Sequence, residues 1–131
     1  MSTRPQFTPY PAINAKSMAS NITSDVTIIQ KLSLISYQLS WLGTTPIGTV
    51  RVQGSNDFSL FANGQVNNPG TWTTLEVSVN GGPPIASIPI SGNAGSGIID
   101  ILPTAIYAIR VTYIAGSGVG TMSAVVAAKV A

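Results

Sequence analysis

The chain has 131 residues, no cysteine and no histidine, and only 8% of it is charged, against about 25% in an ordinary globular domain. That length makes one domain whose core can stand without disulfides or a structural metal, and the missing side chains exclude thiol chemistry, thiolate metal sites and imidazole catalysis. The net charge of +2 is spread over four acids (Asp25, Asp57, Glu76, Asp100) and six bases (Arg4, Lys16, Lys31, Arg51, Arg110, Lys129). With no basic cluster, nucleic acid is not an expected partner.

Residues 1–14 form an extended N-terminal arm on this reading. Pro5, Pro9 and Pro11 fix φ and remove donors, which keeps the segment out of helices and out of the middle of a sheet. Phe7 and Tyr10 are the side chains it would insert into a groove on a neighbour; a loosely ordered terminus is the other reading. The arm has no apolar signal-peptide core, and no run of about 20 apolar residues follows. The expectation is a soluble protein made in a cytoplasm, with no membrane partner.

Residues 15–131 have the punctuation of an all-β domain. Strands are expected at Asp25–Gln30, Leu32–Trp41, Ile47–Gln53, Thr71–Val79, Ile85–Ile90, Ile98–Leu102, Tyr107–Ile114 and Val119–Val130. In the second, Ile35, Tyr37, Leu39 and Trp41 alternate with Ser36, Gln38 and Ser40, the period of a half-buried strand. Gly43-Thr44-Thr45-Pro46 reads as a turn, Phe58–Gly70 as a loop with two Asn-Gly-type signals, Ser91–Gly97 as a glycine-rich loop, and Gly116-Ser117-Gly118 as a hairpin turn. About eight strands so spaced predict an antiparallel β-sandwich, jelly-roll-like.

Chemistry is scarce along this scaffold. Asp57, in Gly54-Ser55-Asn56-Asp57, has no second acid near it in sequence for glycoside hydrolysis, and one carboxylate with Asn56 and Ser55 falls short of the oxygens calcium takes. An Asx turn at a strand exit accounts for the stretch. No cofactor is expected, and the protein is expected not to be an enzyme. Trp72 points away from Leu75, Val77 and Val79, so it is covered by the 58–70 loop, covered by a neighbouring subunit, or open to a sugar ring. Arg51 faces away from its apolar neighbours, with Glu76 as its expected cross-strand partner.

The succession VRVQGSND, GTWTTLEV, IIDI and YAIRVTYIAGSGVGTMSAVVAAK resembles small β-sandwich proteins encoded among bacteriophage structural genes, over Leu32 to Lys129. A related pattern occurs in discoidin-like sandwiches, where a V-x-x-S-N-D-G turn precedes a tryptophan; here Phe58 replaces the glycine, and about a dozen further residues separate the turn from Trp72. The resemblance implies a virion component of the capsid decoration or head-fibre type. Such a protein binds the major capsid protein or other virion proteins and forms a homo-oligomer, a trimer being one such arrangement. Low charge agrees with a chain covered by neighbours. The alternative is a carbohydrate-binding module of a phage tail or fibre, with Trp72, Asn56, Asp57 and Arg51 as its sugar site.

Overall fold

A computed structural model describes residues 6–29, 34–101 and 106–129, and these contain strands and no helix. In chain order the strands are β1 (Gln6–Ser17), β2 (Ile22–Thr23), β3 (Thr27–Ile28), β4 (Leu34–Ser55), β5 (Ser59–Leu60), β6 (Val66–Asn68), β7 (Thr73–Thr74), β8 (Val77–Val79), β9 (Pro84–Ile85), β10 (Ile88–Ile90), β11 (Ala94–Ile101) and β12 (Ala108–Lys129). Every pairing among them is antiparallel.

The spine is β4 against β12, each 22 residues long and paired from Ser55↔Ala108 at one end to Leu34↔Lys129 at the other. This corrects the expected turns at Gly43–Pro46 and Gly116–Gly118. The two glycine-rich stretches lie opposite each other, Thr44 on Val119 and Gly43 on Gly120, and the chain bends there without reversing. Relative to its partner, β12 carries an extra residue between Ala115 and Ser117 and β4 carries one between Thr44 and Ile47, so each bulge compensates the other. The backbone crosses closely at this point. A Cβ on Gly43 would run into the Val119 carbonyl, and one on Gly118, whose φ is +79°, into the Thr45 carbonyl.

The bulges shift the phase of alternation. Buried side chains are Ile35, Tyr37 and Leu39 before the bend of β4 but Val50 and Val52 after it; on β12 they are Ile109, Val111 and Tyr113, then Met122, Ala124, Val126 and Ala128. All of them belong to one core with Ile88, Ile90, Ile99 and Ile101. Each long strand therefore serves two layers around a shared interior, the sandwich arrangement in which strands change sheet at bulges and bends.

The first sheet runs β1, the C-terminal half of β12, the N-terminal half of β4, β11, β8, β9; the second has β2 and β3 on the N-terminal half of β12, then the C-terminal half of β4 with β7 and β10. Counting each long strand as two and β2 with β3 as one gives eleven strand segments in the two layers, more than the eight expected because several are two- or three-residue pieces, with the first strand beside the last, as in a jelly roll. The all-β, sandwich expectation holds.

Local boundaries differ from expectation where neighbouring residues carry conflicting signals. Residues 6–14, expected as an arm, are extended and form most of β1, which runs on to Ser17 and pairs with β12 at Phe7↔Ala128 and Tyr10↔Val126. Asp25–Gln30 contributes only Thr27–Ile28, because the backbone at Ser24 and Asp25 bonds to Val111 and Ala12 instead of continuing a ladder. Thr71–Val79 is split into β7 and β8, and Ile85–Ile90 into β9 and β10. The 58–70 loop holds the β5–β6 hairpin, and β11 begins at Ala94, inside the expected glycine-rich loop.

Candidate functional site

The Ser55-Asn56-Asp57 stretch lies where β4 ends, at one end of the second sheet. Three of its side-chain oxygens, Ser55 Oγ, Asn56 Oδ1 and Asp57 Oδ1, are bonded within the chain. Asp57 Oδ1 accepts from Ser55 Oγ at 2.7 Å and from the Thr71 amide at 2.6 Å. Ser55 Oγ accepts from the Phe58 amide at 3.2 Å, and Asn56 Oδ1 accepts from the Tyr107 amide at 2.9 Å. The Thr71 amide, then Ser55, hold the Asp57 carboxyl down at about 2, so it is ionised throughout the neutral range. The expected Asx turn is not what forms here: Asn56 and Asp57 bond the distant Tyr107 and Thr71 amides and staple the strand exit to the 68–71 loop and to the residue before β12, and the local bond, from the Phe58 amide, goes to Ser55.

Trp72 sits under its own loop. Its Nε1 donates to the Pro69 carbonyl at 2.8 Å, its ring meets Phe58 with centroids 5.9 Å apart, and the Arg110 guanidinium lies 4.3 Å from its centroid. One face of the indole is thus taken by a cation–π contact. Arg110 is itself anchored, its Nε donating to Gln53 Oε1 at 2.8 Å, and partial burial lowers its pKa. Sequence reasoning named Trp72 and missed Arg110 as its partner. Arg110 and Gln53 are directly paired on neighbouring strands, a register that the local sequence pattern does not carry.

Asn56 and Asp57 line an open cleft of about 570 Å³ with Gly54, Ser55, Thr71, Thr73, Leu75 and Ile106. Trp72 flanks the same loop but does not line that cleft, and Arg51 lies further along β4, where its Nε donates to Ser87 Oγ at 3.3 Å. Ser87, not Glu76, is therefore the partner of Arg51. The four residues of the expected sugar site form two places, a turn with its cleft and an arginine on the sheet face. Of the expected interface residues, Trp72 is half-buried within the molecule, while the side chains of Phe7 and Tyr10 lie outside the described residues. Among the described residues no group of three or more Asp and Glu side chains is placed to hold a metal ion.

No protein-family model matches the chain, and no curated protein sequence does. Its architecture is that of a solved phage-derived protein: the crystal structure of the SPBc2 prophage-derived protein YomS superposes with a TM-score of 0.64, at 9% sequence identity, over 97% of this chain and 96% of that one. At that identity the two share a fold.

Proposed function

We propose that this chain is a non-enzymatic structural protein of a bacteriophage virion, a capsid decoration protein that binds coat protein and sister subunits. The observation that carries the proposal is a fold shared nearly end to end with a prophage-derived protein, in a chain whose Ser-Asn-Asp stretch is spent on stapling its own loops. Binding would proceed by burial of uncharged surface. Exposed apolar side chains support this, with Leu42 67%, Val119 55% and Ile47 50% accessible around the bend and Phe61 54% accessible at the β5–β6 hairpin. The protein would be made in the bacterial cytoplasm and end on the particle.

Co-sedimentation of the purified protein with capsids lacking it tests this reading. Saturable binding at a fixed number of copies per capsid is expected, and a protein that stays in the supernatant overturns it. One observation favours a second reading, a glycan-binding module of a tail or fibre: the open cleft beside Asn56 and Asp57. A glycan array that shows binding abolished by Asp57→Ala, with no capsid binding, would select that reading.

A further inference from the structure

The described sheet edges are closed to strand addition. β1 carries Pro9 and Pro11, β9 begins at Pro84, and β10 has Pro89 at its centre, and proline blunts an edge by removing a donor. Of the remaining edges, β2 with β3 is broken at Ser24 and Asp25, whose amides bond within the molecule, and β5, β6 and β7 are only two or three residues long. Association between molecules is therefore left to the outer faces of the sheets.

Those faces are complementary. On the second sheet, Arg51 is paired with Thr112 and Gln53 with Arg110, so the two arginines are diagonal neighbours on one face, with Cα atoms about 7–8 Å apart. Each donates its Nε to a neutral oxygen, Ser87 Oγ or Gln53 Oε1. No described carboxylate forms an ion pair with either. Ile47 and Ile114 extend the same outer face towards the bend.

On the first sheet, the outward residues include Ser36, Gln38, Ser40 and Leu42 of β4, Ser96 and Ile98 of β11, and Thr121, Ser123, Val125 and Ala127 of β12. Among them stands an exposed carboxylate, Asp100, directly opposite Ser36 on one side and Ser78 on the other. It too lacks an ion pair among the described residues.

We infer that these two faces are the halves of one head-to-tail interface between copies of this chain, in which Arg51 and Arg110 of one copy take Asp100 of the next. The inference rests on the homo-oligomer part of the proposal above. A small-residue face lets a partner sheet approach closely, and a guanidinium pair can hold a carboxylate with parallel hydrogen bonds. A contact between two different faces closes into a ring when its rotation allows, and a trimer is the smallest such ring.

Charge exchange tests it. Light scattering after size exclusion would give the mass of the wild type, of Arg51→Asp with Arg110→Asp, of Asp100→Arg, and of the three changes together, with circular dichroism confirming the fold of each. The expected result is a wild-type oligomer, a 13.5 kDa monomer for each one-sided change, and recovery of the oligomer in the triple variant. A monomeric wild type, a mass unmoved by the one-sided changes, or a triple variant that stays monomeric would overturn it. Capsid co-sedimentation of the same variants keeps the readings apart: binding by variants that never oligomerise removes the interface and leaves the virion role standing, and intact charge exchange without capsid binding does the reverse.

Discussion

The same two strands, β4 and β12, build both sheets, yet their outer faces differ in chemistry on either side of the bend. Toward the first sheet they present uncharged residues, Ser36, Gln38, Ser40, Thr121, Ser123, Val125 and Ala127, with Leu42 at the bend; toward the second, Arg51, Gln53, Arg110 and Ile114. The inner faces differ much less, being aliphatic throughout with Tyr37 and Tyr113 set in them. Packing constrains the interior of both halves alike, so the contrast outside is not required by the fold. Surface that folding leaves free is where a binding protein can carry its specificity, and here that surface holds two of the chain's six basic residues.

The comparison depends first on the bend that separates the halves. Gly118→Val places a branched side chain at a positive φ and against the Thr45 carbonyl. The expected cost is about 3 kcal/mol or more, read as a lower denaturant midpoint, and Gly43→Val is expected to behave alike. A wild-type midpoint would mean that the strands do not cross as closely as described.

Next comes the anchoring of the arginine face. Trp72→Ala removes the ring beneath Arg110 and the contact with Phe58, and is expected to cost about 2 kcal/mol, with the near-ultraviolet spectrum reduced to the Trp41 share of its tryptophan signal. An equal loss from Trp41→Ala at the first sheet, where the ring packs against the core and its Nε1 reaches the Gly92 carbonyl at 3.3 Å, would show that the anchoring is not particular to the second.

The turn at the end of the second sheet should be sensitive to acid. The folded pKa of Asp57 lies at about 2, below its ordinary 3.8. Its contribution is therefore fully present above 3.8 and is lost as pH falls toward 2. Thermal melts of the wild type should drop across that window, and Asp57→Asn should flatten the drop. An unchanged acid profile would remove the carboxylate from the staple.

The smallest effects belong to the faces themselves. Arg51→Ala and Ser40→Ala are each expected to change stability by less than about 0.5 kcal/mol, since the Arg51 bond to Ser87 is exposed. A large loss from either would mean that the outer faces hold the fold together.

Much of this was legible in the sequence. The alternation of Ile35, Tyr37 and Leu39 and of Ile109, Val111 and Tyr113 gave the strands and their buried sides, and the Asn and Asp at the end of β4 marked the strand exit, but not that their side chains reach Tyr107 and Thr71. The phase shift was also present, in odd-numbered buried positions before Gly43 and even-numbered ones after Gly48, but glycine and proline at a bulge look the same as glycine and proline at a turn. The reversal expected at Gly116–Gly118 failed for that reason. β5 and β6 were missed because they are two- and three-residue strands without alternation. The Arg110–Trp72 contact depends on register across 38 residues of sequence, which local pattern does not carry. The β1 pairing escaped because prolines argue against a sheet centre while leaving an edge open.

The most direct measurement is the protein composition, by quantitative mass spectrometry, of virus-like particles purified from lysates of cells that carry this gene. The account predicts the chain in stoichiometric amounts, at a copy number fixed relative to the major capsid protein. Its absence from particles, while it is abundant in those cells, would contradict the virion role.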